Sequence, residues 1–250
     1  MARLAAILIT ITLASSTAAY GWRSPLRDLP KGINFETASK AEEKGDLARA
    51  HQDFLTAAAY YRRAAQTGTP SADLYNKLGI AQLKLDQKGA ARKSFQQAIK
   101  TDPHNASALN NLGALYCLQK KYMNAMRYLK EALEIDEGNA SFHVNMAETW
   151  AGLSQIDRAM TEYGRALELD PDVFTSNENG VIAQLKTPEQ RARMNYLIAK
   201  LYARKGNVEG ALDYLQRAKD GHYPQLANVY IDKEFAGLWQ DPRLGKIVKP

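Results

Sequence analysis

Cysteine is nearly absent from this chain. Cys117 stands alone among 250 residues, so no intramolecular disulfide can form and no thiolate-based zinc site can be assembled, since tetrahedral zinc needs several sulfur or imidazole ligands. Histidine is almost as scarce. His51, His104, His143 and His222 lie far apart, with no His-x-x-x-His pair and no glutamate at ligand spacing beside them. The phosphate-cradling Gly-x-x-x-x-Gly-Lys-Ser/Thr loop, the Gly-x-Ser-x-Gly elbow and the Gly-x-Gly-x-x-Gly fingerprint are all missing, and no segment reads as a credible strand. Cys117 follows Tyr116 on an apolar stretch with no neighbour that would stabilise a thiolate, which reads as a buried thiol and not a nucleophile. These absences point away from an enzyme and leave no expected cofactor or metal.

Long apolar runs are missing as well, apart from one at the start. Arg3 precedes an apolar stretch from Leu4 to Ala14, and the small residues Ser15 to Ala19 follow it. A charged start, an apolar run and a small-residue exit are the parts of a secretory signal peptide, with cleavage expected after Ala19. An uncleaved anchor is the alternative, but Leu4 to Trp22 barely reaches the roughly 20 apolar residues that a spanning helix needs. No cysteine stands at the cleavage point to carry a lipid. Residues 1–19 are therefore expected to direct export, to the periplasm if the cell is Gram-negative, leaving a chain with no stable membrane insertion. Residues 20–35, with Pro25, Pro30 and two glycines, read as a linker.

Charge of one sign is not scarce, but it is discontinuous. A net charge of +6 and an isoelectric point near 9.2 raise nucleic acid as a partner. Counted by segment, 72–105 carries +3, 140–173 carries −4 and 192–225 carries +3. An acidic block between two basic ones gives no continuous stripe for a phosphate backbone, so nucleic acid is not expected.

What the chain does contain is a repeat. YNKLGIAQLKLDQKGAARKSFQQAIKTDP from Tyr75, LNNLGALYCLQKKYMNAMRYLKEALEIDE from Leu109 and HVNMAETWAGLSQIDRAMTEYGRALELDP from His143 align without a gap at a spacing of 34 residues. Gly79, Gly113 and Ala147 fall in register, as do Ala91, Ala125 and Ala159, then Phe95, Leu129 and Tyr163, then Ala98, Ala132 and Ala166. Each unit holds two helical patterns separated by a short polar turn. Tiny residues at fixed places allow the paired helices to approach to about 8 Å. A single pair buries only one face, and stacking the next pair covers the remainder.

These residues carry a resemblance. Leu109, Leu112, Gly113, Tyr116, Ala125, Leu129 and Ala132 in one unit, and Tyr75, Leu78, Gly79, Ala91, Phe95, Ala98 and Pro103 in another, are similar to the tetratricopeptide repeat pattern. The resemblance implies an all-α, right-handed superhelical solenoid of helical hairpins acting as a protein-binding scaffold. Units are expected at 72–105, 106–139 and 140–173. A degenerate unit is expected at 36–71, where Gly45, Ala57, Tyr61 and Ala64 keep register, and a further unit at 192–225 after an insert at 174–191. Within that insert Thr187-Pro188-Glu189-Gln190 reads as a helix start. Residues 226–250 change character and are expected to form a small helical cap over the last repeat.

In the family the first helix of each unit lines a concave groove. Carried over position by position, that groove comprises Ser39, Glu42 and Asp46, then Asp73, Asn76, Ile80 and Lys84, then Ser107, Asn110, Ala114 and Leu118, then Ser141, Val144 and Glu148, then Arg193, Tyr196, Lys200 and Arg204. Asn76 and Asn110 are 34 apart, as are Asn111 and Asn145. Such amide ladders resemble those that hold an extended peptide backbone; equally, they serve contacts between helices. Arg193, Tyr196, Lys200 and Arg204 share one helical face, which is either a solvated surface or a site for an acidic partner, a small anionic ligand or a polysaccharide. A carboxylate clamp is not reproduced, because Ile80, Ser141 and Asn145 stand where Asn, Lys and Arg would be required. The expected function is a non-catalytic scaffold in an exported, cell-envelope assembly, binding a protein or extended peptide.

Overall fold

A computed structural model describes residues 37–174 and 187–249. The expected signal peptide (1–19) and linker (20–35), and most of the expected insert, lie outside the described residues. Ten helices run in pairs: α1 (Ala38–Ala50) with α2 (Phe54–Thr67), α3 (Ala72–Lys84) with α4 (Lys88–Thr101), α5 (Ala106–Leu118) with α6 (Tyr122–Ile135), α7 (Ala140–Gly152) with α8 (Ile156–Leu169), and α9 (Pro188–Arg204) with α10 (Val208–Asp220). Two short 3-10 helices, Leu226–Tyr230 and Lys233–Leu238, and a final α11 (Pro242–Ile247) close the chain.

The turn inside each hairpin is built the same way five times. Gln52, Asp86, Lys120 and Ser154 adopt left-handed backbone with φ between 57 and 60°, and Gly206 does so at 73°. The residue after each donates its N–H five positions back, as in Asp53 to Ala48, Gln87 to Gln82, Lys121 to Tyr116, Gln155 to Trp150 and Asn207 to Tyr202. That bond satisfies a carbonyl the helix end would otherwise leave open. Only Gly206 enters this conformation without the penalty of about 1–2 kcal/mol that a Cβ brings. The first helices begin with side-chain caps: Thr37, Ser71, Asn105, Asn139 and Thr187 each accept from a backbone N–H of the first turn. At Thr187 the cap is reciprocal, since Gln190 also accepts from the Thr187 N–H at 3.0 Å. α9 thus starts early and runs 17 residues, against 13 in the other first helices.

The small residues set the closeness of each pair. A Cβ on Gly79 would sit 2.5 Å from Phe95, and one on Gly113 would sit 2.7 Å from Leu129. Ala57, Ala91, Ala125, Ala159 and Ala211 are wholly buried, as are Ala98, Ala132, Ala166 and Ala218. Burial continues between units. Phe95 and Ala91 share a cluster with Leu112 and Leu115 of the next hairpin, and Tyr163 and Met160 share one with Leu197 and Leu201. The core is therefore a series of nearest-neighbour interfaces. First helices α3, α5 and α7 touch one another directly, more closely than the second helices do, so this part of the stack curves with first helices inside.

Candidate binding surface

The asparagines come together, but in a stagger the period does not display. Asn111 donates from Nδ2 to Oδ1 of Asn76 at 2.9 Å, and Asn145 donates to Asn110 at 2.9 Å, so the partners are 35 residues apart and not 34. Stacked first helices are shifted by about one residue, which brings the sixth position of one unit against the fifth of the unit before. Asn76, Asn110 and Asn145 are buried, and Asn111 is half-buried. Their amides link α3 to α5 and α5 to α7, leaving little of them for a peptide backbone. Asn110→Ala should leave the buried Asn145 amide without its acceptor and cost about 1–3 kcal/mol. Urea denaturation checks this, and adding Asn145→Leu should recover part of the loss.

Further along α7, Glu148 is buried and accepts a hydrogen bond from the Tyr163 hydroxyl on α8. Burial drives the Tyr163 pKa well above the ordinary tyrosine value and the Glu148 charge adds to it, while Arg193 opposes both. Beside them Tyr122 is raised by burial, with Arg193 again acting in the other direction. His143 is also interior: Nδ1 lies 2.7 Å from a Glu162 carboxylate oxygen and Nε2 lies 2.9 Å from the Glu137 carbonyl, joining α8 and the loop before α7. Cys117 is half-buried, against the expectation of full burial, because it sits at the rim of the Leu129 and Met146 cluster. Among the described residues no group of three or more His, Cys, Asp or Glu is placed to hold a metal.

The basic face of α9 is already engaged. Tyr196 donates to Asp232 at 2.8 Å; Lys200 lies 3.2 Å from Asp232 and 3.3 Å from Glu234; Arg204 reaches Glu234 at 3.1 Å. Burial and the Asp232 hydrogen bond hold the Tyr196 hydroxyl far above its ordinary pKa. Burial raises Glu234, but its backbone hydrogen bond and the charges of Lys200 and Arg204 outweigh this and bring it below the usual carboxylate value. The chain's own tail therefore supplies the carboxylates that an external anion would have brought.

Arg193, one turn earlier, points elsewhere. It lines a cleft of about 610 Å³ in which four segments meet: the α5–α6 turn and start of α6 (Lys120, Tyr122), the end of α7 through the start of α8 (Ala151, Ser154, Ile156), α9 from its first turn to its middle (Gln190, Arg193, Leu197) and the residues after α10 (Tyr223, Pro224, Gln225). Lys120, Tyr122 and Tyr223 do not belong to the periodic groove positions and were not legible as a site. The acidic pair Asp232 and Glu234, facing cations spaced by four on α9, was the available signal for the docked tail.

Sequence profiles of the tetratricopeptide repeat match residues 72–105, 105–170 and 145–227. No curated protein matches in sequence. Among solved structures, MamA of Desulfovibrio magneticus RS-1 (41 to its end) is 16% identical, with a TM-score of 0.53 over 75% of this chain and 96% of its own. A second MamA structure is 18% identical, with a TM-score of 0.52 over 79% and 96%. YrrB, described as a TPR protein with an unusual peptide-binding site, is 22% identical, with a TM-score of 0.51 over 79% and 93%. At these identities the likeness concerns the fold.

Proposed function

Because the chain belongs to the tetratricopeptide repeat family, we propose that it is a non-catalytic scaffold that holds a protein, or an extended segment of one, against the inner face of its first helices. One observation carries this reading: α3, α5 and α7 are fastened to one another by the Asn111–Asn76 and Asn145–Asn110 hydrogen bonds. An inner face fastened in this way is preformed, so a partner does not bear the cost of ordering it. The binding surface is then made of the side chains that remain accessible there, such as Lys84, Ser107 and Leu118, and not of the asparagines.

An exported compartment and a cell-envelope assembly complete the proposal. The amino-terminal sequence pattern supports export, and no described helix is long and apolar enough to cross a membrane. A small anionic ligand or polysaccharide on the Arg193, Lys200 and Arg204 face is the weaker reading, since Lys200 and Arg204 already face Asp232 and Glu234.

A photo-crosslinking residue placed at Ser107 or Leu118 should capture a discrete protein in the native cell, while one at Lys93, exposed on α4, should not. Capture from Lys93 with none from the first helices would reject the inner face.

A further inference from the structure

We propose that the cleft beside Arg193 takes an acidic peptide segment in which a carboxylate adjoins an aromatic or aliphatic side chain. This deepens the scaffold reading and rests on it. Its argument starts from charge. Of the four face residues on α9, Tyr196, Lys200 and Arg204 are matched by the tail, and Arg193 is the one whose side chain, among the described residues, has no carboxylate within ion-pair distance. Arg193 is half-buried in the wall of the cleft, so a carboxylate entering there meets a guanidinium partly screened from water. A planar, multidentate donor in that position is suited to a carboxylate. Lys120, exposed at the α5–α6 turn, adds a second cation to the same cleft, and Glu189 is the one lining carboxylate among the described residues.

The remaining walls define the neighbour of that carboxylate. Tyr122 and Tyr223 line the same cleft as Arg193, so rings and guanidinium bound one space. Leu197 and Ile156 contribute aliphatic surface. An aromatic or branched side chain gains from both kinds of wall. A volume of about 610 Å³ lies within the roughly 300–1,000 Å³ of ligand clefts and has room for a few side chains. The cleft also has a specific origin in this chain: α9 begins at Pro188, ahead of the unit that starts at 192, and the added turn supplies Glu189 and Gln190 to the wall beside Arg193.

Random peptide display against the full chain tests this, with enriched sequences measured as fluorescein-labelled peptides by anisotropy. The expected result is enrichment of Asp or Glu next to Phe, Tyr, Leu or Ile, with binding about tenfold weaker to Arg193→Gln and weaker again to Arg193→Gln/Lys120→Gln. Neither side chain is in the core, and circular dichroism of the variants checks that they fold. Enriched peptides without an acidic residue, or peptides indifferent to Arg193→Gln that crosslink at Ser107, would overturn the cleft and leave the scaffold reading in place. No enrichment at all would count against both. A dimer in sedimentation that Arg193→Gln dissolves would replace the peptide by a second copy of this chain, and so overturn the proposal.

Discussion

Phe95→Ala is expected to destabilise the protein by about 3–5 kcal/mol, and the same background should reverse the sign of a second substitution. The ring is wholly buried, and its cluster spans two hairpins, including Leu83 and Ala91 from its own and Leu112 and Leu115 from the next. Its removal therefore weakens both the pairing of α3 with α4 and the joint with α5. Gly79 is the complementary half of this contact. A Cβ there would approach the Phe95 ring to 2.5 Å, far inside van der Waals contact, so Gly79→Ala in the wild-type chain should cost about 1–3 kcal/mol through overpacking. In the Phe95→Ala background the obstruction is gone, and the gain of about 1 kcal/mol for alanine over glycine in a helix should emerge. Urea denaturation of the four species checks both claims. If Gly79→Ala destabilises the two backgrounds equally, the glycine is not there to admit the ring.

Phe235→Ala should act at one end of the molecule. Phe235 is wholly buried against the Tyr196 ring, with centroids 5.5 Å apart, and shares its cluster with Leu215, Leu238 and Leu244. Loss of that ring should cost about 3–5 kcal/mol locally and release Asp232 and Glu234 from Lys200 and Arg204. Because each hairpin contacts only its neighbours, the loss should not spread far. Hydrogen exchange followed by mass spectrometry should show protection falling across 188–249 while 72–169 keeps its own. A uniform fall over the whole chain would mean that the stack is one cooperative core.

Part of this architecture was readable in advance, for a definite reason. Gly79 over Phe95, Gly113 over Leu129 and the two rows of buried alanines are contacts within a hairpin, so their spacing is fixed by helix length and turn length and repeats along the chain. The asparagine bonds were only half readable. That Asn76, Asn110, Asn111 and Asn145 belong together follows from the period; that Asn76 bonds Asn111 and not Asn110 follows from how far one hairpin slides on the next. Glu148 occupies an expected groove position yet is buried, because Tyr163 on α8 reaches across to it.

The sequence by itself thus determined the fold: scarce cysteine and histidine, absent nucleotide loops and a period of 34 residues specify helical hairpins in series. Local periodicity suffices for that, since each unit needs only itself and the next. Tertiary structure alone decided the surface. Whether Lys200 and Arg204 face solvent or Asp232 and Glu234 depends on a tail that returns some 30 residues later, and whether Arg193 lines the same cleft as Tyr122 depends on how α9 is seated, 71 residues further along the chain. Such distant pairings leave no period behind them, because nothing in helix geometry relates the two positions until the chain has packed.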